Sequence, residues 1–346
     1  MLRAEARIDT GAIARNAARL AALAPLCAVV KADGYGHGAA AAGRAALAGG
    51  ATMLAVATAN EARALRAANV DAPLLVLGAL SPEELAIALE ARAEVVAWRE
   101  ELLDGLPAGT RVHVKLDTGM GRLGTPDPAA ATRVAQAAKE RGLHLAGVMT
   151  HFATADDDPA FLREQLARFT AWANGVGAPR HAANSAATLA EPDARLDMVR
   201  CGIALYGLDP FHRDPADHGL EPALRLTSYV ADVKRVRPGD SVGYGRRFIA
   251  SRETWIGTLP IGYGDGFRRG LTNAFEAVID GRRVPGVGTI SMDNVTVDLG
   301  DTPVQRGAEA VLIGDGILAE DVARTLGTIN YEITCGISAR VPRRHV

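Results

Sequence analysis

The chain has 346 residues, of which 48% are hydrophobic and 23% charged, the composition of an ordinary globular protein. It is long enough to form one large domain or two. The formal net charge of −2 offers no attraction for nucleic acid or an anionic membrane. No apolar run approaches the ~18 residues of a membrane-spanning helix, and the N-terminus lacks the apolar segment of a signal peptide. We therefore expect a cytoplasmic protein without nucleic-acid or membrane partners.

The cysteines give no sign of a disulfide framework. Cys27, Cys201 and Cys335 cannot all pair within one chain, and their spacing is not that of metal ligands. Reduced thiols are ordinary in cytosolic proteins. We expect no metal site.

Strand-like and helical patterns alternate through the first part of the chain. Asp9 or Thr10 can cap an opening helix with Ile13, Ala17 and Leu20 at helical spacing. Apolar runs follow, and amphipathic patterns separate most of them. The predicted strands are Leu26–Lys31, Met53–Thr58, Leu74–Gly78, Glu94–Trp98, Arg111–Asp117, Leu145–His151, Arg180–Asn184 and Met198–Gly202. The predicted helices include Ala39–Leu47, Ala59–Asn69, Pro82–Ala91, Pro128–Arg141 and Pro159–Asn174.

This alternation predicts an α/β fold. Nearly continuous apolar strands are typical of a parallel sheet that is buried on both faces. Eight such strands favour a closed (β/α)8 barrel. An open doubly wound sheet is the alternative, although no G-x-G-x-x-G follows the first strand, which argues against a dinucleotide-binding version.

The pattern changes after about residue 208. Asp209 to Pro222 is rich in Pro, Asp and His and is typical of a linker. Short β-type runs follow, with a hairpin signal at Asp280-Gly281 and one helix at Ala319–Leu326. We predict that residues 1–220 form the barrel and residues 221–346 a mainly antiparallel β domain. The predicted β runs are Leu226–Val236, Val242–Tyr244, Thr254–Leu259, Ala274–Ile279, Val295–Leu299 and Ala310–Ile313.

Polar or ionisable residues follow several of the predicted barrel strands, where barrel enzymes carry their chemistry. Lys31 ends the first strand and precedes a glycine-rich turn, so a desolvated amine there could hold a carbonyl group as a Schiff base. A solvated lysine at a strand end is the commoner case. His151 could equally be a satisfied core histidine, and Arg200 a surface cation.

These strand ends lie within motifs that resemble those of the alanine racemases, which depend on pyridoxal phosphate. The matching motifs occur in the same order over about residues 28 to 344. They are Ala28–Gly38, Val114–Gly124, Met149–Asp156, Ala183–Ala186, Val199–Gly207, Val242–Gly245, Ile261–Gly266, Ser291–Asp293 and Asn330–Ile333.

The resemblance implies an isomerase that interconverts L-alanine and D-alanine by removing the Cα proton on one face and returning a proton on the other. Lys31 would hold pyridoxal 5′-phosphate and act as one base, with Tyr244 as the other. His151 and Arg200 would be the cationic neighbours that favour the ionised tyrosine. Arg200, in place of a carboxylate, would donate to the pyridine nitrogen and leave that nitrogen unprotonated.

The resemblance also implies the remaining contacts. Arg122 would lie near the cofactor's phenolic oxygen and the substrate carboxylate, and Met292 and Asp293 would complete the substrate site. Lys115 matches a position that is carbamylated in some members. The remaining cofactor-binding residues would be Tyr35, Asn184, Ser185, Gly202, Ile203 and Tyr331, with His151 and Arg200.

Because Tyr244 and Met292 lie in the predicted β domain, the resemblance implies a homodimer in which that domain completes the partner subunit's site. D-alanine would serve peptidoglycan synthesis, or the enzyme would serve alanine breakdown. The alternatives are a racemase of another small amino acid or of broad specificity, an amino-acid decarboxylase of the same barrel family, and a non-catalytic cofactor-binding protein.

Overall fold

The computed structural model describes residues 2–346 and divides into two compact units. The barrel unit comprises Gly11–Phe211 and His218–Glu221. The sheet unit comprises the residues up to Thr10, His212–Asp217 and Pro222–Val346. Its first strand, β1 (Ala4–Ile8), comes from the N-terminus, where no strand was predicted.

Eight parallel strands close into a barrel, which confirms the predicted fold class. β2 pairs with both β3 and β9. Leu75 bridges to Glu94 between β4 and β5, and the Arg200 N–H donates to the Ala183 carbonyl (2.9 Å) next to β8 and β9. The strands are β2 (Leu26–Val29), β3 (Met53–Val56), β4 (Leu74–Val76), β5 (Val95–Ala97), β6 (Arg111–Lys115), β7 (His144–Met149), β8 (Arg180–His181) and β9 (Val199–Cys201).

Most connections of the barrel are helices with strong N-terminal signals. Thr58 and Ser81 form capping boxes with Glu61 and Glu84. Between β5 and β6 the structure has only a 3-10 turn at Glu100–Leu103. The helical segments are α1 (Thr10–Ala21), α2 (Lys31–Tyr35), α3 (Ala39–Ala48), α4 (Ala59–Ala67), α5 (Pro82–Glu90), α6 (Pro128–Glu140), α7 (Pro159–Ala173) and α8 (Ser185–Ala190).

The sheet unit is built on a nine-stranded sheet in the order β11-β14-β17-β16-β15-β18-β10-β1-β19. All its pairs are antiparallel except β1 with β19. A second hairpin pairs β12 with β13. The elements are β10 (Leu224–Tyr229), β11 (Asp232–Val236), β12 (Ser241–Val242), β13 (Phe248–Ile249), β14 (Thr254–Leu259), β15 (Glu276–Ile279), β16 (Arg282–Val287), β17 (Val295–Gly300), β18 (Glu309–Ile313), α9 (Ala319–Leu326), α10 (Asn330–Cys335) and β19 (Arg343–His345).

The hairpin predicted at Asp280-Gly281 is confirmed. Both residues have positive φ (49° and 72°), as the mirror-image turns that suit a twisted hairpin require. The run predicted as one strand at Leu226–Val236 is two strands instead. It breaks because the Val230 N–H donates to Ala308 while the Ala231 N–H donates to Thr258, so the chain changes its sheet partner there.

None of the helices over residues 2–346 is long and apolar enough to cross a membrane.

Candidate active site at the carboxyl ends of the barrel strands

Lys31 stands at the carboxyl end of β2 and begins a left-handed turn. Ala32, Asp33 and Tyr35 have φ angles of 51°, 51° and 54°, and Gly34 between them has 64°. This conformation costs residues other than glycine about 1 kcal/mol or more each. Such outliers persist where surrounding contacts hold them, and they cluster at functional sites.

Two carboxylates hold this turn. Glu61, at the start of α4, accepts the Ala32 N–H through Oε1 (2.6 Å) and the Ala57 N–H through Oε2 (2.8 Å). Asp33 accepts the Ala39 N–H at the start of α3 (2.9 Å). Glu61 is a site residue that was not predicted from the sequence. Its capping-box spacing from Thr58 was the available signal.

Tyr35, Ser185 and Gly202 meet at the ends of β2, β8 and β9. A Cβ placed on Gly202 would lie 2.2 Å from the Tyr35 hydroxyl oxygen, so the hydroxyl lies directly against the glycine. The Ser185 hydroxyl accepts the N–H groups of Gly202 (3.1 Å) and Ala204 (3.3 Å). Two hydroxyls and two main-chain N–H groups thus form a compact set of donors that suits a phosphate dianion.

Asn184 and Ile203 flank this donor set. Asn184 is the N-cap of α8 and accepts the Ala187 N–H (3.0 Å), which fixes the position of Ser185. Ile203 begins a 3-10 turn that runs to Tyr206. The structure therefore brings together the predicted residues Tyr35, Asn184, Ser185, Gly202 and Ile203.

Arg200 is buried in the middle of β9 and is not the surface cation that one interpretation allowed. Its guanidinium donates to the carbonyl oxygens of Thr150 (2.7 Å) and Ala182 (3.0 Å). It also lies 2.9 Å from Nδ1 of His181 and 3.3 Å from Nδ1 of His151. Burial lowers the pKa of Arg200 to about 10.

Lys115 and Arg122 carry further positive charge at this end of the barrel. Lys115 ends β6, and burial, followed by the charges of Arg200 and Arg122, lowers its pKa to about 8. The Asp117 carboxylate accepts three successive N–H groups, from residues 119 to 121 at 2.8–3.0 Å, and so shapes the loop that carries Arg122.

The pKa of His151 shows how strongly positive this end is. Burial, and then the charges of Arg200, Lys115, Arg122 and Lys31, hold the pKa of His151 well below its usual value. The imidazole is therefore neutral near pH 7, and the prediction that His151 is a cationic neighbour of Tyr244 is wrong, because burial among other cations disfavours its protonation. A site with this field favours an anionic ligand.

The other predicted site residues belong to the sheet unit. Tyr244 is 74% exposed and Met292 is 52% exposed, and the Tyr244 carbonyl accepts the Thr289 hydroxyl (2.6 Å). Asp293 accepts from Arg340 (2.7 Å).

Tyr331 lies in α10, with its ring centroid 6.5 Å from that of His212. The roles predicted for Tyr244, Met292, Asp293 and Tyr331 stay predictions.

Two family models match the chain: "Alanine racemase, N-terminal domain" over residues 8–210 and "Alanine racemase, C-terminal domain" over residues 223–345. An alanine racemase of Desulfovibrio desulfuricans is 40% identical over 99% of this chain and 97% of its own length. The solved alanine racemase of Streptomyces coelicolor A3(2) is 40% identical with a TM-score of 0.94, covering 99% of this chain and 98% of the other.

A Clostridium difficile 630 alanine racemase, solved as a complex with cycloserine, is 32% identical with a TM-score of 0.90. The match covers 100% of this chain and 96% of the Clostridium difficile chain.

Proposed function

The chain belongs to the alanine racemase family, and from this we propose that it interconverts L-alanine and D-alanine with the help of pyridoxal 5′-phosphate. The observation that carries the proposal is the carboxyl end of the barrel, where four cations surround His151 beside a compact set of hydroxyl and N–H donors. The phosphate of the cofactor and the carboxylate of an amino acid are the anions that such a site suits.

The residues present fit this cofactor. Its phosphate would take the donors of Tyr35, Ser185, Gly202, Ile203 and Tyr331, and Asn184 would hold Ser185 in place. The Tyr35 hydroxyl packs closely on Gly202, because a Cβ there would lie 2.2 Å from the hydroxyl oxygen. When bound, pyridoxal phosphate acidifies the Cα–H bond of an amino acid by withdrawing electrons from it.

Lys31 would hold the cofactor and act as the base on one face of the substrate. The left-handed turn that follows Lys31 fixes the direction of the main chain after β2. Tyr244 would act as the base on the opposite face. Two bases on opposite faces let a proton leave one side of Cα while another arrives on the other.

Arg200 would donate to the pyridine nitrogen. An arginine has only donors and keeps its proton, so it leaves that nitrogen unprotonated and limits how far the ring withdraws electrons. Its contacts to carbonyl oxygens and imidazoles fix the guanidinium in one orientation. We infer that this favours return of the proton to Cα over side reactions such as transamination.

Arg122 would bind the substrate carboxylate, with Met292 and Asp293 completing the substrate site. A carbamate on Lys115 would give Arg122 a negative partner, and a lysine with a pKa of about 8 is partly deprotonated near pH 8, as carbamate formation requires.

The assembly is a homodimer in which the β domain, predicted at residues 221–346, completes the partner subunit's site. The barrel, predicted at residues 1–220 and formed by Gly11–Phe211 and His218–Glu221, holds the cofactor. The enzyme works in the cytoplasm and supplies D-alanine for peptidoglycan or breaks alanine down. The exposure of Tyr244 and Met292 supports the homodimer, because about half or more of each residue remains free to contact another chain.

Incubation of the purified chain and pyridoxal phosphate with L-alanine in deuterated water tests the proposal. We expect D-alanine that carries deuterium at Cα. Turnover of serine or another small amino acid without D-alanine would instead indicate a racemase of different specificity. Release of carbon dioxide would indicate a decarboxylase.

A further inference from the structure

A hydrogen-bonded row of buried side chains crosses the barrel from the amino ends of the strands to the candidate active site. Glu94 precedes β5, His113 lies within β6, and His181 ends β8. Oε2 of Glu94 is 2.7 Å from Nε2 of His113, whose Nδ1 is 2.8 Å from Nε2 of His181. Nδ1 of His181 is 2.9 Å from Arg200. We call Glu94, His113, His181 and Arg200 the imidazole relay.

The barrel makes room for this relay at one glycine. A Cβ on Gly147 in β7 would lie 2.7 Å from Nδ1 of His113 and 3.1 Å from Nε2 of His181. Any side chain there would collide with the hydrogen bond between the rings, which meet edge to face (89°). The packing is therefore built around the contact between the two imidazoles.

The chemistry of Arg200 sets the direction of every hydrogen bond in the relay. A guanidinium only donates, so Nδ1 of His181 must accept, and the proton of that ring must be on Nε2. Nδ1 of His113 then accepts from His181, and its Nε2–H donates to Glu94. Each ring is thus neutral and in one tautomer. Burial lowers the pKa of both histidines, in agreement with this assignment.

Glu94 is the acceptor at the end of the row. Its carboxylate is buried, and burial raises its pKa, but hydrogen bonds from His113 and Arg111 outweigh that effect and keep it below the usual value. Arg200, by contrast, has no carboxylate within 4 Å among residues 2–346. A buried cation without a counter-charge is costly, and polarised hydrogen bonds can carry the influence of a more distant anion.

We propose that Glu94 is a positioning residue for Arg200: it accepts the last hydrogen bond of the relay and supplies the anion that balances the buried guanidinium. The inference rests on the proposed function, in which Arg200 contacts the cofactor. Glu94 itself is remote from that contact. Together with Arg111, Thr110 and Met198 it lines a cavity of about 680 Å3 at the amino ends of the strands.

Two variants with opposite expected effects test the proposal. Glu94→Gln keeps the size of the side chain and removes the anion. Arg111 is a half-exposed cation whose Nε donates to the Glu94 carboxylate at 2.6 Å. Arg111→Gln removes this cation, so that His113 alone interacts with the negative charge of Glu94. Glu191→Gln is the control, because it breaks a similar contact to Arg163 (2.8 Å) elsewhere in the barrel.

The first readout is the 15N NMR spectrum of the histidine rings in the full-length chain, recorded without and with pyridoxal phosphate. We expect His113 and His181 to be protonated on Nε2 in the wild type. The pKa of His113 should fall in Glu94→Gln, rise in Arg111→Gln and stay unchanged in Glu191→Gln. This readout needs no turnover, so it separates a failure of the relay from a failure of the proposed function.

The second readout is cofactor affinity together with kcat and KM for alanine. We expect Glu94→Gln to weaken cofactor binding or kcat by about tenfold or more, the effect of losing one charged hydrogen bond. KM should change little, because Arg122 is outside the relay. Arg111→Gln should not weaken either quantity. Rings protonated on Nδ1, or shifts of the same sign in both variants, would overturn the proposal, as would a Glu94→Gln enzyme with wild-type affinity and kcat.

Discussion

Replacing Gly202 by alanine adds a methyl group that clashes with the Tyr35 hydroxyl. The new carbon would be 2.2 Å from the hydroxyl oxygen, 2.7 Å from Cζ and 3.1 Å from Cε2. The φ of Gly202 is −115°, outside the left-handed region that favours glycine, so the contact with Tyr35 is the cost considered for this substitution. Tyr35 cannot withdraw easily, because it lies in the left-handed turn and packs on the ring of Tyr206, with centroids 5.1 Å apart.

Two quantities should change in Gly202→Ala. Overpacking of this kind costs about 1–3 kcal/mol, so the free energy of unfolding of the cofactor-free chain should fall by that amount. Displacement of the Tyr35 hydroxyl removes a hydrogen bond to a charged group, so the affinity for pyridoxal phosphate should fall roughly tenfold to a hundredfold. Tyr35→Phe should reproduce the loss of affinity without the loss of stability.

Urea unfolding and a fluorescence titration with pyridoxal phosphate measure the two effects. Gly175→Ala is the matched control, because the nearest atom to its Cβ would be the Trp172 carbonyl oxygen at 3.7 Å, an ordinary contact. If Gly202→Ala kept both the stability and the cofactor affinity of Gly175→Ala, the close packing of Tyr35 on Gly202 would not be a feature of the site.

Lys31→Ala should abolish the visible absorbance of lysine-bound cofactor as well as turnover; normal racemisation would remove Lys31 from its role. Arg200→Glu should raise the ratio of keto acid to D-alanine, and unchanged product ratios measured by chromatography would contradict the role of the arginine. Glu61→Gln should weaken cofactor binding by loosening the turn after Lys31; equal affinities would show that the turn holds without Glu61. Burial lowers the pKa of His113 and His181 in the folded chain, so the unfolded chain binds more protons below about pH 6.5. The free energy of unfolding, measured in urea, should therefore decrease as the pH is lowered, by up to ~1.4 kcal/mol per pH unit for each histidine. A flat profile from pH 7 to 5 would contradict the assignment of neutral rings.

The barrel could be predicted from the sequence because its strands are buried on both faces. β2, β3, β4 and β5 contain only buried residues, so each appears as an unbroken apolar run. The N-terminal strand β1 could not be predicted, because two of its three inward positions are alanines and it pairs with strands far along the chain.

Strands β16 and β19 were not predicted, for a related reason. Both are rich in arginine, and half or more of their residues are not buried. Their place in the sheet comes from pairing with β15, β17 and β1, which a local pattern does not contain.

In the candidate site, too, some residues could be predicted from a local sequence pattern and others could not. Lys31, His151 and Arg200 could be identified because chemistry in a barrel concentrates at the ends of strands. Glu94, His113 and His181 could not, because each looks like an isolated polar residue in an apolar strand until the fold brings the three into contact. The left-handed turn after Lys31 could not be predicted either, since Gly34 is the one glycine among the four residues of positive φ from 32 to 35.

Lys31 and Tyr244 are proposed to act on opposite faces of the substrate, and isotope exchange by Tyr244→Phe is the decisive test of this arrangement. The variant, loaded with pyridoxal phosphate, is incubated separately with L-alanine and D-alanine in deuterated water. We expect racemisation to be largely lost, while one enantiomer still exchanges its Cα hydrogen with retention, because Lys31 still acts on its own face. Racemisation of both enantiomers at the wild-type rate would contradict it.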